Sequence, residues 1–505
     1  MTAPALLTWL VFLPWLGGAL VAVLPQRFSR VASLALSLST LAFGVALDAP
    51  GAGAAVRADW MPALHIRYHL AVDGLSLLLI LLTGVVAPMS LLASWRVPGD
   101  GRLFRSLFLL LQGSALGVFV ARDFFLWFVF WELSLVPAYF LIKLWGGAGA
   151  TRAAYQFVVY TLGGSAFLLL GFAAIYAAAG TMDFTELQAL PAGGLAARLG
   201  PAGAAMAFTG VLLGLAVKVP LFPFHTWLPP AYAEAPVGVS MFLTGVMAKM
   251  GVYGFLRILW PLFPGQLQAA SGLLLGLALA GILVGAFAAL AQTDLKRMLA
   301  YSSFSHVSFC LLALFAVTGL TGPRGATAAA AGTAALAGAV LQLFNHGLSA
   351  ATLFFFVGVL ETRAGGKRGL DDFGGVRAAA PVLAGLCGIA LFSSLGLPGL
   401  NGFVSEFLIL RGVFGLAPWV AAASCLGLLA TAVYLLTFYQ RVYHGPLPAA
   451  RMSLADLSGT EVATVGLAIA LMFVLGVYPQ PLIHLANGVA SLWAGGLGSL
   501  PIPVS

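Results

Sequence analysis

Apolar runs of about 20 residues recur along this chain from one end to the other, each long enough to span the hydrocarbon core of a bilayer as a helix. Inside lipid a backbone must satisfy its own hydrogen bonds, which helices do. The chain is 61% hydrophobic and only 8% charged, too few charges for the surface of a soluble domain. The alternating pattern of a β-barrel is absent. The sequence therefore predicts an all-α polytopic membrane protein.

The apolar runs predict about 14 transmembrane helices in a single integral membrane domain, residues 1–505. The first run has no basic stretch before it, so we interpret it as a membrane helix and not as a cleaved signal. A last apolar stretch is shorter and rich in glycine, which predicts a C-terminal surface segment over 481–505. The predicted helices lie at 4–24, 31–48, 70–94, 104–121, 124–145, 154–179, 202–225, 235–257, 268–291, 299–319, 328–360, 379–411, 414–440 and 459–478.

The basic residues are spread thinly between the apolar runs, so the net charge of +8 does not indicate nucleic-acid binding. When the loops are assigned alternately to the two sides, one side carries about twice as many lysines and arginines as the other. The positive-inside rule then predicts a multi-pass protein of a bacterial inner membrane, with both termini on the extracytoplasmic side.

Cysteine spacing and glycine patterns exclude the common cofactor sites. Cys310, Cys387 and Cys425 lie singly in apolar runs, which excludes a disulfide framework and the cysteine motifs of iron–sulfur or zinc sites. The chain has no G-x-G-x-x-G fingerprint opening a βαβ unit and no Walker loop. The sequence therefore predicts no cofactor and no metal in this chain.

Two predicted helices are interrupted next to an ionisable residue. Pro220 and Pro223 follow Lys218 in the seventh helix, and each proline removes a backbone donor. A Gly-Leu-Pro-Gly run at 396–399 precedes Glu406 in the twelfth helix. Discontinuous helices in corresponding positions of two inverted halves are typical of transport sites. The two interruptions therefore predict a site in the membrane for a transported ion.

The two interruptions lie five helices apart. Because five is odd, the second copy of a five-helix unit would be inverted in the membrane relative to the first. We therefore predict inverted five-helix repeats at 104–257 and 268–440. The alternative is two unrelated kinks, because glycine and proline are common in membrane helices.

Four charged residues lie at the middle or at an interruption of a predicted helix, where each charge costs about 3 kcal/mol on insertion scales. They are Glu132, Lys218, Lys249 and Glu406. No two of them have the spacing of an ion pair within one helix, so any pairing must be between helices. Because lysines repel a divalent cation, the set predicts a proton relay and not a metal site. A Glu132–Lys218 pair that forms and separates would switch the lysine between holding and releasing a proton.

Three histidines, His225, His306 and His346, add titratable groups near or within the predicted helices. Each is either a relay member or a satisfied core residue, and His225 also lies where it would cap carbonyls freed by the interruption. The charged residues have alternative structural interpretations as well. Lys218 would snorkel to the membrane surface, and the two glutamates would be structural acids bound to hydroxyl or backbone donors.

Other charged and aromatic residues favour simpler interpretations. Asp73 opens a predicted helix and is expected to be a helix cap or a loop anchor. The charged run 361–377 predicts a solvated cytoplasmic loop. Trp127, Trp131 and Trp145 are expected to be packing residues or interfacial anchors.

Several segments resemble the proton-translocating antiporter-like subunits of respiratory complex I, in the expected order and over nearly the whole chain. Subunits of Mrp-type cation/proton antiporters and membrane arms of some hydrogenases share this plan. With a glutamate at position 406, the chain resembles one particular complex I subunit, because the paralogues of that subunit and the Mrp subunits typically carry lysine there. The segments are 72–76, 131–137, 218–236, 294–303, 344–347, 396–406 and 476–479.

The resemblance implies a role for each candidate residue. Glu132 and Lys218 would be the modulating pair, Lys249 the central carrier and Glu406 the exit-side group, with His225, His306 and His346 along the polar axis between them. It implies a non-redox subunit of an H+-translocating NADH:quinone oxidoreductase. FMN, iron–sulfur clusters and quinone would belong to partner subunits. The partners would be other complex I membrane subunits, especially the paralogous antiporter-like chains L and N.

Two other functions stay open. One is a subunit of an Mrp-type cation/proton antiporter, or a membrane-arm subunit of a related hydrogenase or ferredoxin-linked complex. Co-purification with a flavin and iron–sulfur arm distinguishes this function from the first. The other is a structural subunit whose polar residues only hold helices together. An assembled complex that does not pump after substitution of Glu132 or Lys249 would exclude it.

Overall fold

The computed structural model describes residues 3–47, 54–190, 193–319, 325–446 and 454–495. Within these residues, 13 helices are long and apolar enough to cross a membrane. Two shorter helices, Pro381–Ser394 and Asn401–Leu416, together form a further crossing, so the predicted helical membrane fold is confirmed. In chain order, with the two-part crossing as span 12, the other spans are Ala3–Val23, Gln26–Leu47, Gly74–Ala93, Gly101–Val120, Phe124–Trp145, Ala150–Ala179, Gly194–Lys218, Val237–Leu262, Pro264–Leu290, Leu295–Thr318, Ala326–Arg363, Pro418–His444 and Gly459–Val477.

A β-hairpin between spans 2 and 3 departs from the all-α prediction. Strand β1 (Ala55–Met61) pairs antiparallel with β2 (Ile66–Ala71). The strands are only 7 and 6 residues long and lie between two apolar helices, whose longer pattern dominates the sequence signal. We call the side of the bundle that carries this hairpin the hairpin face, and the other side the opposite face.

Aspartates begin two of the spans at the hairpin face. Asp73 Oδ1 accepts from Ser76 N at 3.0 Å, so the predicted helix cap is confirmed. Asp123 Oδ1 accepts from Phe125 N at 2.9 Å at the start of span 5. Its Oδ2 accepts from Arg67 N at 3.1 Å and ties the hairpin to this helix start. Burial raises the pKa of Asp123 to about 6.

The first interruption follows span 7, which ends at Lys218. Pro220 cannot donate a backbone hydrogen bond, so carbonyls of the last turn lose their helical partners. One of them, Val217 O, accepts from Trp227 Nε1 at 2.9 Å. The chain becomes helical again at Leu228–Glu234. The interruption lies where the prolines predict it.

The second interruption divides span 12 between Ser394 and Asn401. Gly396 and Gly399 have φ angles of 76° and 95°, a left-handed conformation that side chains with a Cβ rarely adopt. Both interrupted helices are therefore present, five spans apart, while the inverted relation between the two repeats stays a prediction.

Spans 11 and 12 pack through small residues. A Cβ added to Gly338 would lie 2.6 Å from the backbone nitrogen of Ile409, and one added to Gly412 would lie 2.6 Å from Cα of Ala335. Such close approach of two backbones is typical of helix packing in membranes. It fixes the second half of span 12, which carries Glu406, against span 11.

Shorter helices complete the described residues. The C-terminal helix Gln480–Gly495 packs against spans 3 and 11. It covers part of the predicted surface segment 481–505, and residues 496–505 lie outside the described residues. The other short elements are Pro62–Leu64, Phe184–Gln188, Leu370–Asp372 and Val376–Ala379.

Candidate functional site

Lys249 lies near the middle of span 8, between π-helical turns at Leu243–Met247 and Phe255–Leu259. Such turns are frequent at functional sites. The side chain of Lys249 is completely buried. Its Nζ donates to Thr244 O at 2.5 Å and lies 3.0 Å from Nδ1 of His346 on span 11. The buried lysine thus contacts an ionisable partner on another helix, as its sequence spacing predicts.

Two histidines connect Lys249 to Glu406. The imidazoles of His346 and His306 are stacked, with ring centroids 5.3 Å apart. His306 Nδ1 lies 3.0 Å from Glu406 Oε1, although the two groups do not have the alignment of a hydrogen bond. All four side chains are buried. We call Lys249, His346, His306 and Glu406 the central chain.

Glu406 is held against the second interruption. Gln342 Nε2 donates to Glu406 Oε1 at 3.5 Å, and Ser405 Oγ donates to Gln342 Oε1 at 2.5 Å. The other carboxylate oxygen would lie only 2.6 Å from a Cβ added at Gly396. A glycine there therefore lets the carboxylate sit directly against the backbone of the interrupted helix.

A network of amides and hydroxyls joins span 11 to both halves of span 12. Asn345 Nδ2 donates to Asn401 O at 2.7 Å and to Ser405 Oγ at 3.1 Å. Ser393 Oγ donates to Asn401 Oδ1 at 2.6 Å. Among these groups and the central chain lies a cavity of about 10 Å³, which has room for about one water. The network fixes the interruption in place beside Glu406.

Lys218 and Glu132, which the sequence predicts to be a pair that forms and separates, do not form an ion pair in this structure. Neither Lys218 Nζ nor Glu132 Oε1 has a hydrogen-bond partner among the described protein atoms. The ammonium of Lys218 instead lies 5.0 Å from the ring centroid of Trp131 and 5.9 Å from that of Phe157. Trp131 Nε1 donates to Ser165 Oγ at 3.2 Å, which orients the indole. The buried ammonium therefore sits in a cation–π arrangement.

A small, mostly apolar cavity lies beside Lys218. A cavity of about 10 Å³ borders Lys218 and is lined from span 8 by Leu243, Met247 and Ala248. Tyr232 also lines it and donates its hydroxyl proton to Leu243 O at 3.0 Å. The cavity thus lies between Lys218 and span 8, the helix that carries Lys249.

His225 lies apart from the contacts of the central chain. Its ring stacks on Phe304 with centroids 4.5 Å apart and planes 3° from parallel. A second aromatic ring, Phe222, lies 5.6 Å away on the interrupted segment. The structure therefore brings His306 and His346 together with Lys249 and Glu406, and places His225 at the first interruption.

The run 361–377 is not simply a solvated loop, which corrects the sequence prediction. Arg368 donates to Glu234 and Asp294 at 2.7 Å each, and Glu361 pairs with Lys296 at 2.6 Å. Only about a fifth of the Arg368 side chain is exposed. The prediction failed because the acids that pair with Arg368 come from distant parts of the sequence.

Sequence reasoning also missed functional neighbours that carry no charge. Trp131 was expected to be a packing residue or an anchor, yet it contacts the ammonium of Lys218. Ser165, Gln342 and Asn345 contribute the hydrogen bonds described above. Their signal in the sequence is a hydroxyl or amide within an apolar run, where a polar group needs a partner.

All four side chains of the central chain are titratable groups. Within the described part of the chain, no cluster of three or more His, Cys, Asp or Glu side chains is placed to hold a metal ion. An ammonium, two imidazoles and a carboxylate are all groups that can hold and release a proton.

Residues 121–431 match the family model described as the membrane part of NADH:quinone oxidoreductase and Mrp antiporters. The chain is 36% identical to NADH-quinone oxidoreductase subunit M of Escherichia coli K12, over 97% of this chain and 98% of the relative.

Two solved structures share the fold. A chain in the structure of respiratory complex I from Thermus thermophilus with bound NADH matches with a TM-score of 0.86 and 33% identity, over 98% of this chain and all of the other. A chain of the Mrp complex from Dietzia sp. DQ12-45-1b matches with a TM-score of 0.84 at 22% identity, over 98% of each chain, and this likeness concerns the fold alone.

Proposed function

This chain belongs to the NADH:quinone oxidoreductase/Mrp antiporter family of membrane proteins, and from that membership we propose that it translocates protons as the antiporter-like subunit M of an NADH:quinone oxidoreductase. The observation that carries the proposal is the central chain, in which Lys249 contacts His346 and His306 contacts Glu406. Buried ionisable groups are costly in a membrane, so a row of four of them on four helices is typical of a proton pathway.

In the proposed mechanism a proton leaves Lys249 Nζ for the neutral imidazole of His346, and the lysine becomes a neutral amine. The proton then passes to His306, with one water in the small cavity as the bridge, and finally to the carboxylate of Glu406. Two stacked imidazoles disfavour simultaneous protonation because their charges repel. One proton therefore moves along the central chain at a time.

Lys218 controls when the proton moves. Its ammonium alternates between the ring of Trp131, where the structure has it, and the carboxylate of Glu132. When Lys218 is paired with Glu132, its charge is neutralised and Lys249 holds a proton more readily. When Lys218 turns to Trp131, its unpaired charge repels the proton on Lys249 and favours transfer to His346. The pair thereby modulates the central carrier.

Orientation and partners complete the proposal. The charge asymmetry of the loops makes the hairpin face extracytoplasmic in a bacterial inner membrane. The subunit itself does no redox chemistry. FMN, iron–sulfur clusters and quinone belong to partner subunits, and the neighbours in the membrane include the paralogous chains L and N. Electron transfer in those partners drives the change at Lys218.

The test is Lys249→Ala in assembled complex reconstituted into proteoliposomes, with quinone reduction and proton translocation measured together. Both are expected to fall about 100-fold or more, because a proton carrier of this kind contributes about that factor. The control is Lys367→Ala, at an exposed lysine outside the central chain. Unchanged reduction and translocation in the intact Lys249→Ala complex would refute the central-carrier role.

The Mrp-type antiporter is the second candidate, since the shared fold supports it. Glu406 favours the NADH:quinone oxidoreductase, because Mrp-type subunits typically carry lysine at this position. Purification of the native complex distinguishes the two functions. A flavin and iron–sulfur arm that co-purifies with the chain supports the first, and a complex free of redox centres supports the second.

A further inference from the structure

Two buried arginines and a partly exposed aspartate form a charged cluster near the end of span 8 at the hairpin face. Asp73 pairs with Arg257, and it also lies 3.3 Å from Arg122. Arg122 Nη1 donates to Tyr253 OH at 2.7 Å and its Nη2 donates to Ser76 Oγ at 3.2 Å. Both arginines are more than nine-tenths buried. Two guanidinium groups thus share one carboxylate, which leaves one positive charge in excess.

This excess charge lies on the same helix face as the central carrier. Lys249 and Tyr253 are four residues apart in an α-helical part of span 8, so they lie on one face about 6 Å apart along the axis. The guanidinium carbon of Arg257 lies 5.4 Å from the ring centroid of Tyr253. Lys249 Nζ points the other way, toward Thr244 O and His346. A proton leaving Lys249 directly toward the hairpin face would therefore have to pass the cluster.

The arginines and Tyr253, which lie between Lys249 and this face, cannot pass that proton on, and the carboxylate of Asp73 is paired with both guanidinium groups. A guanidinium stays charged at any physiological pH and has no acceptor atom. Tyr253 OH already donates its proton to Phe119 O at 2.9 Å while it accepts from Arg122. The positions that would continue a relay are thus occupied by fixed positive charge and by a hydroxyl that is fully engaged.

We propose that Arg122, Arg257 and Asp73 form an electrostatic seal that stops protons on Lys249 from leaving at the hairpin face, so that they must travel to Glu406. Fixed arginines exclude protons and cations from other membrane pores by the same repulsion. The inference rests on the proposed function, since a seal matters only if Lys249 carries protons. It adds an assignment for three residues that the relay does not use.

The experiment measures passive proton conductance of proteoliposomes containing the assembled complex, with a proton gradient applied and no NADH. Arg257→Gln and Arg122→Gln are each expected to raise conductance about tenfold, because at an effective dielectric constant near 20 one charge about 12 Å away changes the equilibrium constant for placing a proton by about that factor. Arg257→Lys and Arg122→Lys keep the charge and are expected to restore low conductance.

Asp73→Asn separates a seal from a merely structural cluster. It keeps the oxygen that accepts from Ser76 N but adds one net positive charge, so its conductance is expected to stay at or below the wild-type value. If Asp73→Asn leaks as much as the arginine variants, the cluster only holds the helices and the seal is wrong. Wild-type conductance in both Arg→Gln variants also overturns it. If neither Arg→Gln variant assembles, Asp73→Asn alone still decides, since a leak there contradicts the proposal.

Two further variants separate the seal from the relay. Arg198→Gln changes an exposed arginine at the same face and is expected to have no effect on conductance. Adding Lys249→Ala to Arg257→Gln is expected to return conductance to the wild-type value, because the leak passes through Lys249. A leak that persists in this double variant, while Lys249→Ala alone still abolishes pumping, refutes the seal and leaves the relay intact.

Discussion

His346 is the only group of the central chain in contact with both the lysine and the second histidine, among the residues that the structure describes, and its substitution tests the chain most directly. Lys249 Nζ lies 3.0 Å from His346 Nδ1, and the His346 ring lies 5.3 Å from that of His306. Only His346 links Lys249 to His306 among these contacts, whereas proton transfer needs contact of about 3 Å or one intervening water.

The small cavity sets the magnitude of the effect. It measures about 10 Å³ and holds about one water, and Lys249 does not line it, so a water there cannot replace the imidazole as the partner of Lys249. His346→Gln fills most of the imidazole volume without restoring a titratable group. We expect proton translocation to fall about 100-fold, equivalent to about 3 kcal/mol of activation free energy.

The assay is proton uptake and quinone reduction by assembled complex in proteoliposomes. His346→Gly is expected to recover part of the lost rate when imidazole is added, because it leaves a space of the missing shape. The control is His444→Gln, at an exposed histidine of span 13. Wild-type proton uptake by the His346→Gln complex would refute the assignment of His346 to the relay.

Two further predictions concern groups outside the central chain. Trp131→Leu removes a desolvated cation–π contact of about 2 kcal/mol and is expected to shift the position of Lys218 about 30-fold toward Glu132, which slows proton uptake. The packing control is Trp127→Phe, at a ring stacked on Trp131 with centroids 4.6 Å apart. Equal effects of the two substitutions on proton uptake would contradict the prediction. The pKa of Asp123, raised to about 6, means that the folded state holds this proton more tightly than the unfolded chain, so stability falls as pH rises from about 4 to about 6. Asp123→Asn is expected to remove that part of the slope of Tm against pH. The neighbouring Asp183, whose pKa is lowered by the hydrogen bond to His69, changes the stability with the opposite sign below pH 4. An unchanged slope between pH 4 and pH 6 in the Asp123→Asn variant would contradict the prediction for Asp123.

The sequence predicts the helices and their interruptions well because these depend on local chemistry. Apolar length fixes the spans, and Pro220 removes a backbone donor wherever the rest of the chain lies. The left-handed backbone at Gly396 similarly follows from its own lack of a Cβ. Buried charges such as Lys249 are also recognisable alone, because a membrane makes each of them costly.

The contacts between helices were not predictable from one sequence. The 3.0 Å approach of Lys249 to His346 joins positions 97 residues apart, and no local pattern specifies it. The same holds for Arg368, which looks like a loop residue until Glu234 and Asp294 are brought to it. Aromatic side chains are ambiguous for a different reason, since Trp131 packs and binds a cation with the same ring.

Arg368 has a mechanical consequence for the molecule. It ties Glu234, at the end of the segment that follows Lys218, to Asp294 at the start of span 10 and to Glu361 near the end of span 11. Spans 10 and 11 are the helices that carry His306 and His346. A displacement of the segment after Lys218 would therefore be transmitted to both histidine helices through the ion pairs of one guanidinium. In the proposed mechanism, this linkage gives the segment after Lys218 a mechanical route to the two histidine helices, besides the effect of the Lys218 charge.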